Sequence, residues 1–203
     1  MFETIKSGGP LMIPIIACGI FAVYIVVERF YFYLKTGSRD KEMMKKLYED
    51  LDKADYNAAE ADCITSATPL SNVARTVVHS RRLEENDLKE LVQTEMDASV
   101  TRYEHFLSVL ATIANIATML GLLGTVTGNI RAFGVLGGGG TMGDPTALAN
   151  AIAEALVTTV GGLCVSIPSL VFHNIFNNIV KHRVNDMETF ITKIMMTVQG
   201  KGY

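Results

Sequence analysis

Cysteine and histidine are rare in this 203-residue chain, and its net charge is small. Three cysteines and four histidines form no spacing typical of a metal site. Cys18 and Cys164 fall in apolar stretches and Cys63 in a polar one, so no disulfide framework is expected. A net charge of −3 gives no support for nucleic-acid binding. We therefore expect no metal, no cofactor and no nucleic-acid partner.

Charged residues are missing altogether from three long stretches. These stretches are residues 7–27, 106–130 and 155–180. About 20 apolar residues in a helix cross the roughly 30 Å of a bilayer's hydrocarbon core. The sequence therefore predicts an all-α polytopic membrane protein with three transmembrane helices.

Basic residues flank two of these spans on one side. Residues 29–46 carry six of them after the first span, and Lys181 and Arg183 follow the third, whereas Arg131 stands alone between the second and third. Because basic loops favour the cytoplasm, we expect the N-terminus outside and the C-terminus inside.

The predicted segments follow from the spans and this orientation. They are an external interfacial segment 1–10, transmembrane helix 11–34, a cytoplasmic helical segment 35–104, transmembrane helix 105–136, an external Gly-rich loop 137–145, transmembrane helix 146–180 and a cytoplasmic C-terminal helix 181–203.

Local signals predict how the helices begin and end. Thr36-Gly37 and Thr68-Pro69 divide the cytoplasmic segment into short helices at about 39–51, 55–62 and 69–81. Asp87 and Glu90 have a capping-box spacing, and no proline or turn cluster follows until Phe133. We therefore expect one unbroken helix that carries the second span into the cytoplasm. Asp144-Pro145 predicts the start of the third helix, which we expect to continue towards Thr197.

Glu154 is the most informative single residue because it directly precedes the third uncharged run. An unpaired charge in lipid costs several kilocalories per mole, so the default interpretation is an ion or proton pathway. The alternative is a residue near the outer interface that pairs with Arg131 or is reached by water. Arg131 itself is expected to snorkel towards the interface.

Hydroxyl groups accompany this glutamate on both of the later spans. Thr125 precedes the external loop and Thr158 and Thr159 follow it, so antiparallel helices would place them at similar depth. We predict a pore-lining set of Glu154, Thr125, Thr159 and Thr158. A membrane threonine can also bond to its own helix, which satisfies the hydroxyl without any function. Small residues are expected to serve close helix packing, namely Gly121, Gly124, Gly128, Gly162 and Ser166.

Paired motifs in the later spans resemble a known family. Gly121-Leu122-Leu123-Gly124-Thr125-Val126-Thr127-Gly128 is followed by Ile152-Ala153-Glu154-Ala155-Leu156, by Gly161-Gly162-Leu163 and by Ile167-Pro168. Together with Glu28-Arg29 and the three spans, these motifs are similar to the ExbB/TolQ branch of the MotA/TolQ/ExbB proton-channel family. The resemblance covers nearly the whole chain.

The resemblance implies a homo-oligomeric ring in a bacterial inner membrane, and the expected form of this ring is a pentamer. Single-span partners similar to ExbD or TolR would enter its pore with a membrane aspartate, and a TonB-like or TolA-like protein would receive the work. Thr125, Glu154 and Thr159 match the family's pore residues, whereas Thr158 is an extra hydroxyl. Thr118 stands where many relatives have proline, and Arg131 is also unusual.

Our leading hypothesis is a proton-channel subunit that uses the proton motive force to drive a periplasm-spanning partner. One alternative is a non-conducting scaffold that clusters partner helices. Another is a flagellar or gliding-type stator subunit. An intramembrane enzyme would need a nucleophile–base pair or a metal set, and the sequence offers neither, so we expect no enzymatic activity.

Overall fold

Helices make up nearly all of the chain that can be described. The structure, a computed structural model, describes residues 8–137 and 144–200, and no strand occurs in those two ranges. The helices are α1 Met12–Asp52, α2 Tyr56–Ser66, α3 Pro69–His79, α4 Glu85–Glu104, α5 Leu107–Gly137 and α6 Pro145–Val198. The all-α prediction is confirmed. Most of the predicted loop 137–145 and of segment 1–10 lies outside the described residues.

Three helical stretches are long and apolar enough to cross a membrane. They are Met12–Asp52, Glu85–Gly137 and Pro145–Val198, and the second is divided by a short break between α4 and α5. This finding agrees with the three predicted spans. The first and third helices continue well beyond 34 and 180, so the membrane boundaries within them stay predictions.

Two helix starts follow the predicted chemistry. α6 begins at Pro145, and Asp144 caps it: its Oδ1 accepts a hydrogen bond from the Thr146 amide at 2.9 Å. α3 begins at Pro69 behind Thr68, whose hydroxyl accepts the Ser71 amide while Ser71 Oγ accepts the Thr68 amide. The first turn of a helix leaves backbone N–H groups without an intrahelical acceptor. Proline lacks one of these N–H groups, and a capping oxygen accepts a hydrogen bond from another.

The predicted division at Thr36-Gly37 is wrong, because α1 runs unbroken to Asp52. Glycine at this point permits a close approach rather than a turn. A Cβ on Gly37 would overlap the Arg183 guanidinium, and Arg183 Nη2 donates to the Tyr33 carbonyl at 2.6 Å. The glycine therefore keeps its helical conformation and leaves room for a side chain from α6.

The predicted unbroken helix from Asp87 to Phe133 is also wrong. α4 starts at Glu85 behind Glu84, which makes no side-chain cap, and it ends at Glu104. Phe106 then takes a left-handed φ of +66°, and α5 begins when the Leu110 amide donates to the Phe106 carbonyl. A left-handed residue interrupts the helical ladder without any proline or glycine, so the sequence carried no signal for it.

The chain divides into two compact units. The membrane unit comprises Met1–Glu28 and Phe106–Ile175, and the core unit comprises Arg29–His105 and Phe176–Tyr203. The core unit has a conventional hydrophobic interior, and α3 is buried along one face. The side chains at the centre of the core unit are Met43, Leu47, Leu51, Ala59, Cys63, Leu70, Val73, Val77, Leu88, Val92, Met187, Phe190, Ile191 and Ile194.

A charged cluster also lies inside the core unit. Asp40 is 8% exposed, and its Oδ2 lies 3.5 Å from Arg183 Nη1. Tyr103 donates its hydroxyl to the same Oδ2 at 3.4 Å and accepts the Tyr33 hydroxyl on its carbonyl at 2.8 Å. Burial raises the pKa of Asp40, against the opposing influence of Thr68, Arg183 and Tyr103. The cluster joins α1, α4 and α6.

Candidate ion-pathway site

Glycines bring α5 and α6 into backbone contact within the membrane unit. A Cβ on Gly162 would lie 2.5 Å from the Ala117 carbonyl oxygen and 3.0 Å from the Gly121 Cα. Gly124 faces the Thr158 side chain, and Gly128 faces Ala155. Small residues allow such close approach, which is a main source of helix association in lipid. The polar residues at the start of α6 consequently lie directly against α5.

Ser166 lies along the same contact. Its Oγ accepts a hydrogen bond from the Thr118 hydroxyl at 2.6 Å, and that hydroxyl also lies 3.1 Å from the Ala114 carbonyl. Thr118 therefore supplies a polar link between α5 and α6, which its sequence context did not predict.

Glu154 is paired with Arg131 across the two helices. Arg131 Nη1 lies 2.7 Å from Glu154 Oε1, and the two side chains are 54% and 27% exposed. An exposed pair in water contributes only about 0–1 kcal/mol. An unpaired charge in lipid costs far more free energy, so an ion pair in lipid matters more for stability than the same pair in water. The pairing with Arg131 that the sequence left open is present, so the carboxylate is a half-buried, charge-balanced group.

A turn at the start of the described chain closes over this glutamate. Gly9 has a left-handed φ of +65°, and a Cβ there would overlap the Glu154 carboxylate. The Thr158 hydroxyl lies 3.0 Å from the Gly8 carbonyl and 2.7 Å from the Glu154 carbonyl, and Thr158 is 1% exposed. Thr158 is therefore a buried link between the turn and α6. The sequence showed a glycine pair before Pro10, but nothing that placed it beside Glu154.

Thr159 and Thr125 occupy neighbouring levels of the same contact. The Thr159 hydroxyl lies 3.0 Å from the Gly121 carbonyl on α5 and 3.2 Å from the Ala155 carbonyl on its own helix. Thr125 Oγ1 donates to the Leu122 carbonyl at 2.6 Å and is partly exposed. Thr125 follows Gly124, which faces Thr158, so the hydroxyls and the carboxylate share one short section of the helix pair.

The site holds one carboxylate, from Glu154, and several threonine hydroxyls. No three histidine, cysteine, aspartate or glutamate side chains gather as a metal site within residues 8–137 and 144–200. His173 lies elsewhere on α6, where its Nδ1 is 3.0 Å from the Leu107 carbonyl. The Thr158 and Thr159 hydroxyls each lie within hydrogen-bond distance of two carbonyls, and a carboxyl group such as that of Glu154 can bind or release a proton.

Comparison with known proteins agrees with the motif resemblance. Residues 65–189 match the model of the MotA/TolQ/ExbB proton channel family. The chain is 27% identical over 190 residues to an ExbB-like 3 biopolymer transport protein of Synechocystis sp., covering 85% of this chain and 83% of the relative. It is 32% identical over 134 residues to the biopolymer transport protein ExbB of Neisseria gonorrhoeae, covering 59% and 60%. A Tol-Pal system protein TolQ of Haemophilus influenzae is 33% identical over 108 residues, covering 53% and 47%.

Proposed function

Because the chain belongs to the MotA/TolQ/ExbB proton channel family, we propose that it is a proton-channel subunit of an energy-transducing membrane complex. Relatives named for biopolymer transport and for the Tol-Pal system support this class of function. The observation that carries the proposal is the half-buried Glu154 carboxylate on α6, which precedes the Thr158 and Thr159 hydroxyls along the helix near the contact with α5.

Each polar residue has a distinct role in the proposal. Glu154 is the titratable group, and its protonation would release the carboxylate from the Arg131 guanidinium. The Thr159 hydroxyl can turn between carbonyls on two helices, which allows it to order water or pass a proton. Thr125 presents a partly exposed hydroxyl on α5, and Thr158 holds the backbone in place.

In the proposed assembly, several copies of the chain and a second protein together form the pore. Copies of the chain form a ring, most simply a pentamer, in a bacterial inner membrane with the N-terminus in the periplasm. Single-span helices of an ExbD-like or TolR-like partner occupy the pore, and their membrane aspartate is the main proton carrier. Glu154 shapes the path to that aspartate. Proton flow then drives a TonB-like or TolA-like protein that spans the periplasm.

Replacement of Glu154 tests the proposal. Glutamine keeps the size and hydrogen-bonding capacity of the side chain but cannot exchange a proton, so Glu154→Gln and Glu154→Ala should abolish work driven by the proton motive force. Glu90→Gln, at an exposed position on α4, is the matched control and should behave as wild type. The readout is complementation of a strain that lacks the gene, with assembly checked by size-exclusion chromatography. Full complementation by an assembled Glu154→Gln variant would refute the proton role of this residue.

A non-conducting scaffold is the second candidate, and one observation favours it. The Thr125 and Thr159 hydroxyls already reach backbone carbonyls, so both could serve helix packing alone. A scaffold predicts that the double variant Thr125→Val, Thr159→Val loses stability yet keeps activity. The channel predicts a loss of activity in complexes that still assemble.

A further inference from the structure

We propose that Arg131 and the Gly8-Gly9 turn are positioning elements that hold the Glu154 carboxylate from two sides. This inference rests on the proposed function of Glu154. It assigns a task to an arginine that the sequence predicted to snorkel or, in the alternative interpretation, to pair with Glu154, and to a turn that lies far from Glu154 in the sequence.

Arg131 supplies the first constraint. Its Nη1 contacts Glu154 Oε1 at 2.7 Å, although the two residues are 23 positions apart on different helices. More than half of the arginine side chain remains exposed, so it has room to turn towards the membrane surface. The guanidinium is nevertheless directed at the carboxylate. A charge-assisted contact of this length fixes both direction and distance, which a snorkelling side chain would not do.

Gly9 supplies the second constraint. Its left-handed φ of +65° favours glycine, and any Cβ would occupy the space taken by the carboxylate. The turn cannot easily withdraw, because the buried Thr158 hydroxyl lies 3.0 Å from the Gly8 carbonyl. The carboxylate therefore lies between a guanidinium and a bare Cα, and few other orientations are open to it.

The two constraints make different chemical predictions. Lysine at position 131 keeps a positive charge that can reach the carboxylate, whereas glutamine keeps polarity without charge. Alanine at position 9 adds a single methyl group that pushes the carboxylate away from Arg131. The control is Gly134→Ala, also in the membrane unit, because nothing lies within 4 Å of a Cβ at that position.

The first measurement is work driven by the proton motive force in cells that contain the whole complex. Arg131→Gln and Gly9→Ala should each reduce it about tenfold, the low end of what loss of an orienting partner costs at metal sites. Arg131→Lys should keep most of the activity, and Gly134→Ala should keep all of it. Wild-type activity in an assembled Arg131→Gln complex overturns the inference.

The second measurement does not depend on activity. The change in Tm caused by Arg131→Gln is compared in the wild-type and Glu154→Gln backgrounds of the purified complex. Positioning through the ion pair predicts a smaller change in the Glu154→Gln background. Equal changes in both backgrounds mean that Arg131 acts elsewhere, and the inference fails whatever Gly9→Ala does.

The two measurements also separate this inference from the proposed function. If Glu154→Gln alone retains activity, the proposed function fails, and Arg131 then positions no functional group even where the Tm values are coupled. If Glu154→Gln is inactive but Arg131→Gln is active and uncoupled, only the positioning role is lost.

Discussion

The membrane unit and the core unit are stabilised by opposite kinds of residue. The core unit buries large side chains such as Leu47, Leu88 and Ile194, each fully inaccessible to solvent. The membrane unit packs α5 against α6 through glycine and alanine, and many of its large apolar side chains are exposed. Those exposed apolar residues include Phe21, Val23, Met119, Leu122, Ile130, Phe133, Leu156 and Val160.

The difference follows from the surroundings of each unit. In water, burial of apolar area drives packing, so a core gains from large side chains. Lipid tails are as apolar as leucine, so helices in lipid associate through close backbone contact and hydrogen bonds. The acidic residues of the two units also differ in their surroundings. Asp40 lies inside a packed core, whereas Glu154 lies half-buried at a helix contact and pairs with Arg131.

Loss of a large core side chain should give the largest effect on stability. Leu88→Ala removes a fully buried side chain from the core unit and should lower the free energy of unfolding by about 2–5 kcal/mol. Leu91→Ala, on the same helix but 41% exposed, should change it by less than about 0.5 kcal/mol. Denaturant unfolding of the detergent-solubilised protein measures both. Equal effects would mean that this core does not stabilise the unit.

Adding a methyl group to a glycine tests the close helix packing of the membrane unit, whereas Leu88→Ala removes atoms from the core unit. A Cβ on Gly162 meets backbone atoms of α5, so Gly162→Ala should cost about 1–3 kcal/mol by separating the two helices. Gly134→Ala meets nothing and should be neutral or slightly stabilising. Thermal unfolding of the purified protein compares the pair. A tolerated Gly162→Ala would show that the helix contact is looser than described.

The titration of the buried carboxylate in the core unit should give the smallest effect, a pH dependence of the stability. Because burial raises the folded-state pKa of Asp40 above its usual 3.8, its contribution to stability is present at low pH and is lost as the pH rises through the folded value. Asp40→Asn removes this titration. The fall in Tm between a pH below 3.8 and pH 8 that this titration causes should therefore be absent from Asp40→Asn, so the variant should gain Tm relative to wild type as the pH rises.

The matched control for this titration is Asp52→Asn, at an exposed position on the same helix, which should leave the difference unchanged. If wild type and Asp40→Asn respond identically to pH, the carboxylate is not desolvated as the core packing implies.

Strong local chemistry made some features predictable from the sequence, and tertiary contacts decided the others. The absence of charge gave the three spans, and Asp144-Pro145 gave the start of α6. The continuity of α1 through Gly37 and the break at Phe106 could not be foreseen. Gly37 stays helical where the Arg183 side chain packs against it, and the left-handed conformation of Phe106 separates α4 from α5.

The candidate site shows the same limit. Glu154 stood out because a charge beside a long apolar run is costly, and its motifs identified Thr125 and Thr159. The ion pair with Arg131 belonged to the alternative interpretation, in which Glu154 lies near the outer interface and pairs with Arg131 or is reached by water. The Gly8-Gly9 turn carried no signal, because more than 140 residues separate it from Glu154 and only the folded chain brings them together.

The most direct test of the central claim is proton flux through the assembled complex. The chain is purified with the proposed single-span partner, reconstituted into vesicles that enclose a pH-sensitive dye, and subjected to a pH gradient. We expect proton flux in wild type and in Glu90→Gln, and its loss in Glu154→Gln. Equal flux in wild type and Glu154→Gln would contradict the claim that Glu154 belongs to the proton pathway.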